Sequence, residues 1–162
     1  KLNLVHGIMP LPMFPGTVIP AGVTPSAGYV AGVPRLGVPA LRETDASLGV
    51  AYVFGLRGDG ATALPSSPAL AASWNLDLAY QSGAMIGQEA WRSGFNVLLA
   101  GGVNLARDPR NGRNFEYLGE DPLLAGTMAG ESVRGIQSQH VISTVKHFAL
   151  NDLETGRQFL NA

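Results

Sequence analysis

The run FNVLLAGGVNL, Phe95 to Leu105, decides the fold. It is an apolar stretch too short for a buried helix, so it reads as a strand covered on both faces, the pattern of a parallel sheet packed against helices. Upstream, SSPALAASWNLDLAYQSGAMIGQEAWRSG reads as one helix running from Ser67 to Gly94. Ser67 is the expected N-cap and Pro68 the first helical residue, where a missing N–H does no harm. Leu70, Trp74, Leu78 and Met85 recur at helical spacings as one apolar face, and Gly94 is a natural stop. Downstream, DPLLAGTMAGESVRGIQSQ reads as a second helix, with Asp121 as N-cap and Pro122 in the first position. VISTVKHF then supplies a β-branched strand, Val141 to Val145, and VPALRETDASLGV a short earlier strand, Pro39 to Glu43.

The order is therefore strand, helix, strand, helix, strand, which argues for parallel βα units and an α/β class. Gly7 to Val38 stands apart: it is crowded with Gly and Pro and reads as a long irregular segment. Each cluster of unusual polar residues follows the end of a strand. Asp45 follows the first, Arg107 and Arg113 the second, Lys146 and His147 the third, which places them on the C-terminal rim where α/β proteins bind ligands. A (β/α)8 barrel takes about 250 residues; 162 residues with about three strands are expected to be part of one.

Composition narrows the function. Hydrophobic residues make up 46% of the chain, charged residues 14%, and the net charge is -1, so neither nucleic acid nor an anionic membrane is an expected partner. No apolar run approaches the ~20 residues of a membrane span, and KLNLVHG lacks the pattern of a signal peptide. Without cysteine the sequence has no disulfide, thiolate ligand or cysteine nucleophile. Gly58-Asp59-Gly60 fits neither dinucleotide nor P-loop spacing. His6 and His140 have no carboxylate or histidine at ligand spacing, so no metal site and no cofactor are expected.

The run GRNFEYLGEDP, Gly112 to Pro122, and the following GTMAGESVRGIQSQHVISTVKHFALNDLETGR carry a resemblance, as do TDASLGV and ATALPSSPALAASWNLDLAYQSGAMIGQEAWRSGFNVLLAGGVNLARDP. From about Leu2 onward the chain resembles the N-terminal (β/α)8 TIM-like barrel domain of glycoside hydrolase family 3, in its β-glucosidase and β-xylosidase branch. The resemblance implies a retaining, exo-acting enzyme that hydrolyses terminal non-reducing β-linked glucose from a β-glucoside or short β-linked oligosaccharide, without metal or cofactor. It assigns Asp45 to the aspartate that accepts hydrogen bonds from the terminal sugar, Arg113 to the arginine of a GR-x-x-E motif, and Lys146 with His147 to a KH pair on the same sugar. Arg157 matches a further arginine after N-x-x-E-T near that subsite. Glu116 is expected to stand behind Arg113 and orient its guanidinium. Such a ring suits sugar hydroxyls, which both donate and accept.

The resemblance also implies what residues 1–162 do not supply. The nucleophilic aspartate belongs to a later strand of the barrel and the acid/base glutamate to a second, α/β sandwich domain. No catalytic residue is therefore expected in this chain, which is one piece of a larger enzyme and has the remaining segments as partners; homo-oligomer formation stays open. The family implies a periplasmic or secreted location, with the cytoplasm as alternative. Two departures bear on substrate preference: DASLG, Asp45 to Gly49, replaces the usual DGP-x-G, and Ala51 stands where some relatives carry an arginine. β-Xylosidase activity is the alternative within the branch. β-N-acetylhexosaminidase is disfavoured, because KHFALNDLETGR replaces KHFPGHG and its following Asp/His dyad. A non-catalytic sugar-binding fragment is the remaining alternative.

Several polar residues have plainer readings. Asp121 is explained as a cap, so the Glu120-Asp121 pair is not taken as catalytic. Phe115 and Tyr117 read as packing, Asp152 and Glu154 as solvated loop residues. Adjacent residues of a strand face opposite sides, so Lys146 and His147 can share one sugar only if the backbone leaves strand geometry. A distorted or cis peptide is expected between Lys146 and Ala149.

Overall fold

The sheet has the order β1–β2–β3–β4, formed by Gly28–Val30, Leu41–Asp45, Val97–Leu99 and Ile142–Ser143. The computed structural model describes residues 6–51, 55, 56, 58 and 60–159. Leu2, Asp59 and Ala162 lie outside the described residues. β2, β3 and β4 are parallel, with Thr44 beside Leu98 and Leu98 beside Ser143. The three strands anticipated from the sequence are therefore present and parallel.

Between them run the helices α2 (Leu76–Arg92) and α3 (Pro122–Gln137). Right-handed crossovers between sequential, adjacent parallel strands place both helices on one face of the sheet. The two helices accordingly pack against each other. This is barrel wall rather than doubly wound sheet, in which helices cover both faces. Ile86, Ala90, Phe95, Leu98, Ile136 and Val141 form the buried cluster between sheet and helices. The helices meet at glycines: a Cβ added to Gly83 would come within 2.1 Å of Ser132 O, and one added to Gly135 within 2.1 Å of Tyr80 O.

Four expectations need correction. The helix read as continuous from Ser67 is two: α1, Ser67–Ala71, then α2 from Leu76. Asn75 makes the break by capping α2 itself, accepting a hydrogen bond from Leu78 N at 3.0 Å. Trp74 ahead of it turns to φ 54° and is 75% exposed, so it does not join the apolar face. The N-cap of α1 is Ser66, one residue earlier than expected. The first predicted strand starts at Leu41 rather than Pro39, because Asn96 pins the chain there: its Nδ2 donates to Ala40 O and its Oδ1 accepts from Arg42 N, both at 2.8 Å. Finally, the Gly/Pro-rich segment is not wholly irregular. β1 lies within it, antiparallel to β2, and Tyr29 also bridges back to Ile8. Three residues are too few to show a period in sequence.

Other end signals hold. Asp121 caps α3 by accepting from Leu124 N at 2.6 Å. Gly94 follows α2 at φ 83°, the left-handed stop that glycine adopts without a Cβ penalty.

Candidate functional site

Asp45 is the last residue of β2, and the chain leaving β4 reaches Lys146 two strands away. Lys146 N donates to Gly101 O at 3.2 Å and Val103 N donates to Lys146 O at 2.9 Å, so the strand partnership continues past β3 and β4 to the rim. There Lys146 Nζ comes 2.8 Å from Asp45 Oδ1. Beyond this point the backbone leaves strand geometry, as expected: the Lys146–His147 and Phe148–Ala149 peptide bonds are cis.

The loop after β3 brings in the third group. A single 3-10 turn, Asn114–Glu116, buries Glu116 at 4% exposure beneath Arg113. Glu116 Oε1 accepts from Arg113 Nε, and Glu116 Oε2 accepts from Ser47 Oγ at 3.0 Å. Arg113 is thereby held by one edge, leaving its outer nitrogens to face His147 Nε2 at 2.8 Å and Glu154 Oε1 at 3.6 Å. Burial works against the Arg113 charge, but the hydrogen bond and charge of Glu116, with Glu154 beyond, raise its pKa above the ordinary value. The guanidinium is a fixed cation.

His147 behaves oppositely. Burial lowers its pKa from the ordinary 6.5, and the cations Arg113, Lys146 and Arg157 push it the same way against Glu116. Its imidazole is therefore neutral at neutral pH. Burial raises the Tyr117 phenol, which stays protonated beside His147 and accepts a hydrogen bond from Asn151 Nδ2 at 2.6 Å. Asp45, Ser47, Arg113, Phe115, Glu116 and Lys146 face one open cleft of about 920 Å³, walled by small residues of segments 46–51 and 60–63. Fixed donors and a half-exposed carboxylate around an open space suit a small polyhydroxylated ligand, each of whose hydroxyls can donate and accept.

The sequence and fold have known counterparts. Residues 24–156 match the glycosyl hydrolase family 3 N terminal domain. The chain belongs to glycosyl hydrolase family 3. Beta-glucosidase A of Butyrivibrio fibrisolvens is 44% identical over 137 residues, which cover 85% of this chain and 16% of that protein. The structure of beta-glucosidase 3B from Thermotoga neapolitana in complex with glucose superposes with a TM-score of 0.83 at 37% identity, covering 94% of this chain and 22% of that one. A family 3 beta-glucosidase of Bifidobacterium adolescentis gives a TM-score of 0.73 at 38% identity, over 85% of this chain and 20% of that one. The family 3 chain described here thus spans between 16% and 22% of the length of these relatives, and its α/β fold is the N-terminal part of their barrel.

Within this family 3 fold the anticipated residues fall into three positions. Asp45, Arg113 and Lys146 border the cleft directly, with Glu116 paired to Arg113. His147 stands behind Arg113, with both ring nitrogens near polar partners. Arg157 is farther out, half-exposed, and pairs with Glu154, whose Oε2 lies 3.3 Å from Arg157 Nη1. Arg107 points elsewhere, 3.9 Å from Asp152.

Two readings of the loop residues change. Glu154 is not merely solvated: it bridges Arg113 and Arg157. Burial works against its charge, but the hydrogen bonds of Asn151 and Arg157 and the charges of Arg157 and Arg113 hold its carboxyl below the usual range. Phe115 is not packing; it is 51% exposed and lines the cleft, while Tyr117 beside it is fully buried. Asn104, 8% exposed, was missed, yet its side chain clasps the backbone of His147. The one sequence signal is an amide near the end of an apolar run that also holds Asn96. Among the described residues no three His, Asp or Glu side chains group as metal ligands.

Proposed function

We propose that this chain forms the sugar-gripping side of the active site of a retaining exo-β-glycosidase acting on terminal β-linked glucose. The observation that carries the reading is the Lys146–Asp45 pair, 2.8 Å apart at the rim of a cleft that Arg113 and Glu116 share. In that reading Asp45 accepts from hydroxyls of the glucose ring, Lys146 and Arg113 donate to others, and His147 and Arg157 complete the ring of contacts. Glu116 holds Arg113 in place. Such a clamp accelerates bond cleavage because hydrogen bonds to ring hydroxyls strengthen as the sugar distorts toward its oxocarbenium-like transition state.

The two carboxyl groups of the retaining mechanism, about 5 to 5.5 Å apart, come from segments outside residues 1–162. One attacks the anomeric carbon; the other protonates the leaving oxygen and then activates water. The naming of the relatives as β-glucosidases supports glucose over xylose. The test is hydrolysis of 4-nitrophenyl β-glucoside against 4-nitrophenyl β-xyloside by the protein containing this chain, alongside its Asp45→Ala variant. Turnover of the glucoside that is lost in Asp45→Ala supports the reading; turnover untouched by Asp45→Ala removes it.

A further inference from the structure

Asn104 follows β3 and meets both the backbone and the ring of His147. Its Nδ2 donates to His147 O at 3.1 Å, and its Oδ1 accepts from His147 N at 2.8 Å. These two bonds fix the amide's orientation, because a flipped amide would set NH2 against N–H and oxygen against oxygen. The same Oδ1 lies 3.1 Å from His147 Nδ1. An oxygen that can only accept requires Nδ1 to carry the ring proton. In a neutral imidazole Nε2 is then a bare acceptor, and Arg113 Nη2, which can only donate, lies 2.8 Å from it. Tyr117 Oη, 3.5 Å from Nδ1, is too distant to compete.

We propose that Asn104 is a positioning residue: it sets the tautomer of His147 and, through Nε2, the plane in which Arg113 presents its remaining donors to the cleft. The inference rests on the sugar-gripping reading for its purpose, but not for its test. The charged and titratable groups around the ring are Arg113, Lys146, Arg157, Glu116 and Tyr117; Asn104 supplies orientation without charge.

The experiment is a 15N–1H correlation spectrum of the protein labelled with 15N-histidine, with His147 assigned by its loss in His147→Gln. The wild type should show protonated Nδ1 and bare Nε2 at pH 7.5. Asn104→Asp retains the acceptor and adds a negative charge, so it should keep that tautomer and raise the His147 titration midpoint. Asn104→Leu should give Nε2–H or a mixture. In hydrolysis of 4-nitrophenyl β-glucoside, Asn104→Leu should raise KM about tenfold, the loss of roughly one hydrogen bond, and Asn104→Asp should move the acid limb of the pH profile upward. A wild-type ring protonated at Nε2, a midpoint no higher in Asn104→Asp, or an unchanged tautomer in folded Asn104→Leu overturns the proposal. The wild-type and Asn104→Asp spectra decide it even where Asn104→Leu does not fold. Absence of wild-type turnover would sink the glycosidase reading and leave the ring data standing.

Discussion

Lys146 Nζ lies 2.8 Å from Asp45 Oδ1 across three parallel strands, joining residues 101 positions apart. Asp45 keeps 53% of its side-chain exposure and Lys146 21%, so the pair is open to solvent on the carboxylate side. An ion pair of that kind contributes little to stability, about 1 kcal/mol or less. Its placement at the rim is better explained by a ligand than by folding.

The first prediction follows from that contrast. Lys146→Met should leave the unfolding free energy within about 1 kcal/mol of wild type while lowering kcat/KM for a β-glucoside by roughly 10- to 150-fold, the range for one lost hydrogen bond to a charged group. Urea unfolding and steady-state kinetics on one preparation separate the two. A large stability loss with proportionate activity loss would make the lysine a structural residue.

Glu116 calls for the opposite pattern. Its side chain is 5% exposed and that of Arg113 25%, so removing the carboxylate strips a largely buried guanidinium of its nearest counter-charge, with Glu154 left 3.6 Å away, and takes the acceptor from Ser47 Oγ. Glu116→Leu should destabilise the fold by about 3 kcal/mol, as expected when one member of a buried pair is deleted. Arg113→Met with Glu116→Leu together should recover part of that loss, since no unpaired charge remains. The double-mutant cycle in urea is the check; strict additivity would show that the pair is effectively solvated.

His147 carries a pH signature whose sign is determined by its depressed pKa. The unfolded chain binds a proton near pH 6.5, the native ring only at lower pH, so between those values the unfolded state holds more protons and stability rises with pH. The contribution is fully present above 6.5 and is lost on acidification toward the native pKa. His147→Gln removes it. Unfolding free energies at pH 5 and pH 7.5 should therefore fall further on acidification in wild type than in His147→Gln, and equal slopes would refute an imidazole held neutral.

What could be read in advance depended on how local the cause was. The caps Asp121-Pro122 and Gly94 act on their own helix ends and were legible. Asn75 acts locally too, but NLD inside a run of apolar residues looks like helix interior, and only its bond to Leu78 N reveals the break. Asp45, Arg113, Lys146 and His147 could be placed because strand ends and family-like runs mark them. Glu154 and Asn104 could not, since their roles arise where the chain after β4 folds back over the loop after β3, bringing Asn104 to His147 and Glu154 to Arg113. No periodicity encodes that meeting.

The helix pair offers the strictest test of the packing. At Gly83 and Gly135 a methyl group would have to occupy space within 2.1 Å of a backbone carbonyl on the opposite helix, and backbone cannot swing aside as a flexible side chain can. Alanine ordinarily favours a helix over glycine by about 1 kcal/mol, so an exposed site such as Gly126, where nothing lies within 4 Å of an added Cβ, should be stabilised by that substitution. Gly135→Ala should instead lower stability by about 1 to 3 kcal/mol, the usual cost of overpacking. Because α2 and α3 back the sheet at whose rim Asp45 and Lys146 stand, separating them should also loosen the rim, seen as a higher KM at temperatures well below the unfolding midpoint. Thermal melts of Gly126→Ala and Gly135→Ala side by side distinguish helix propensity from interhelical fit: shifts of opposite sign are expected, and stabilisation by both would mean that the helices do not meet backbone to backbone.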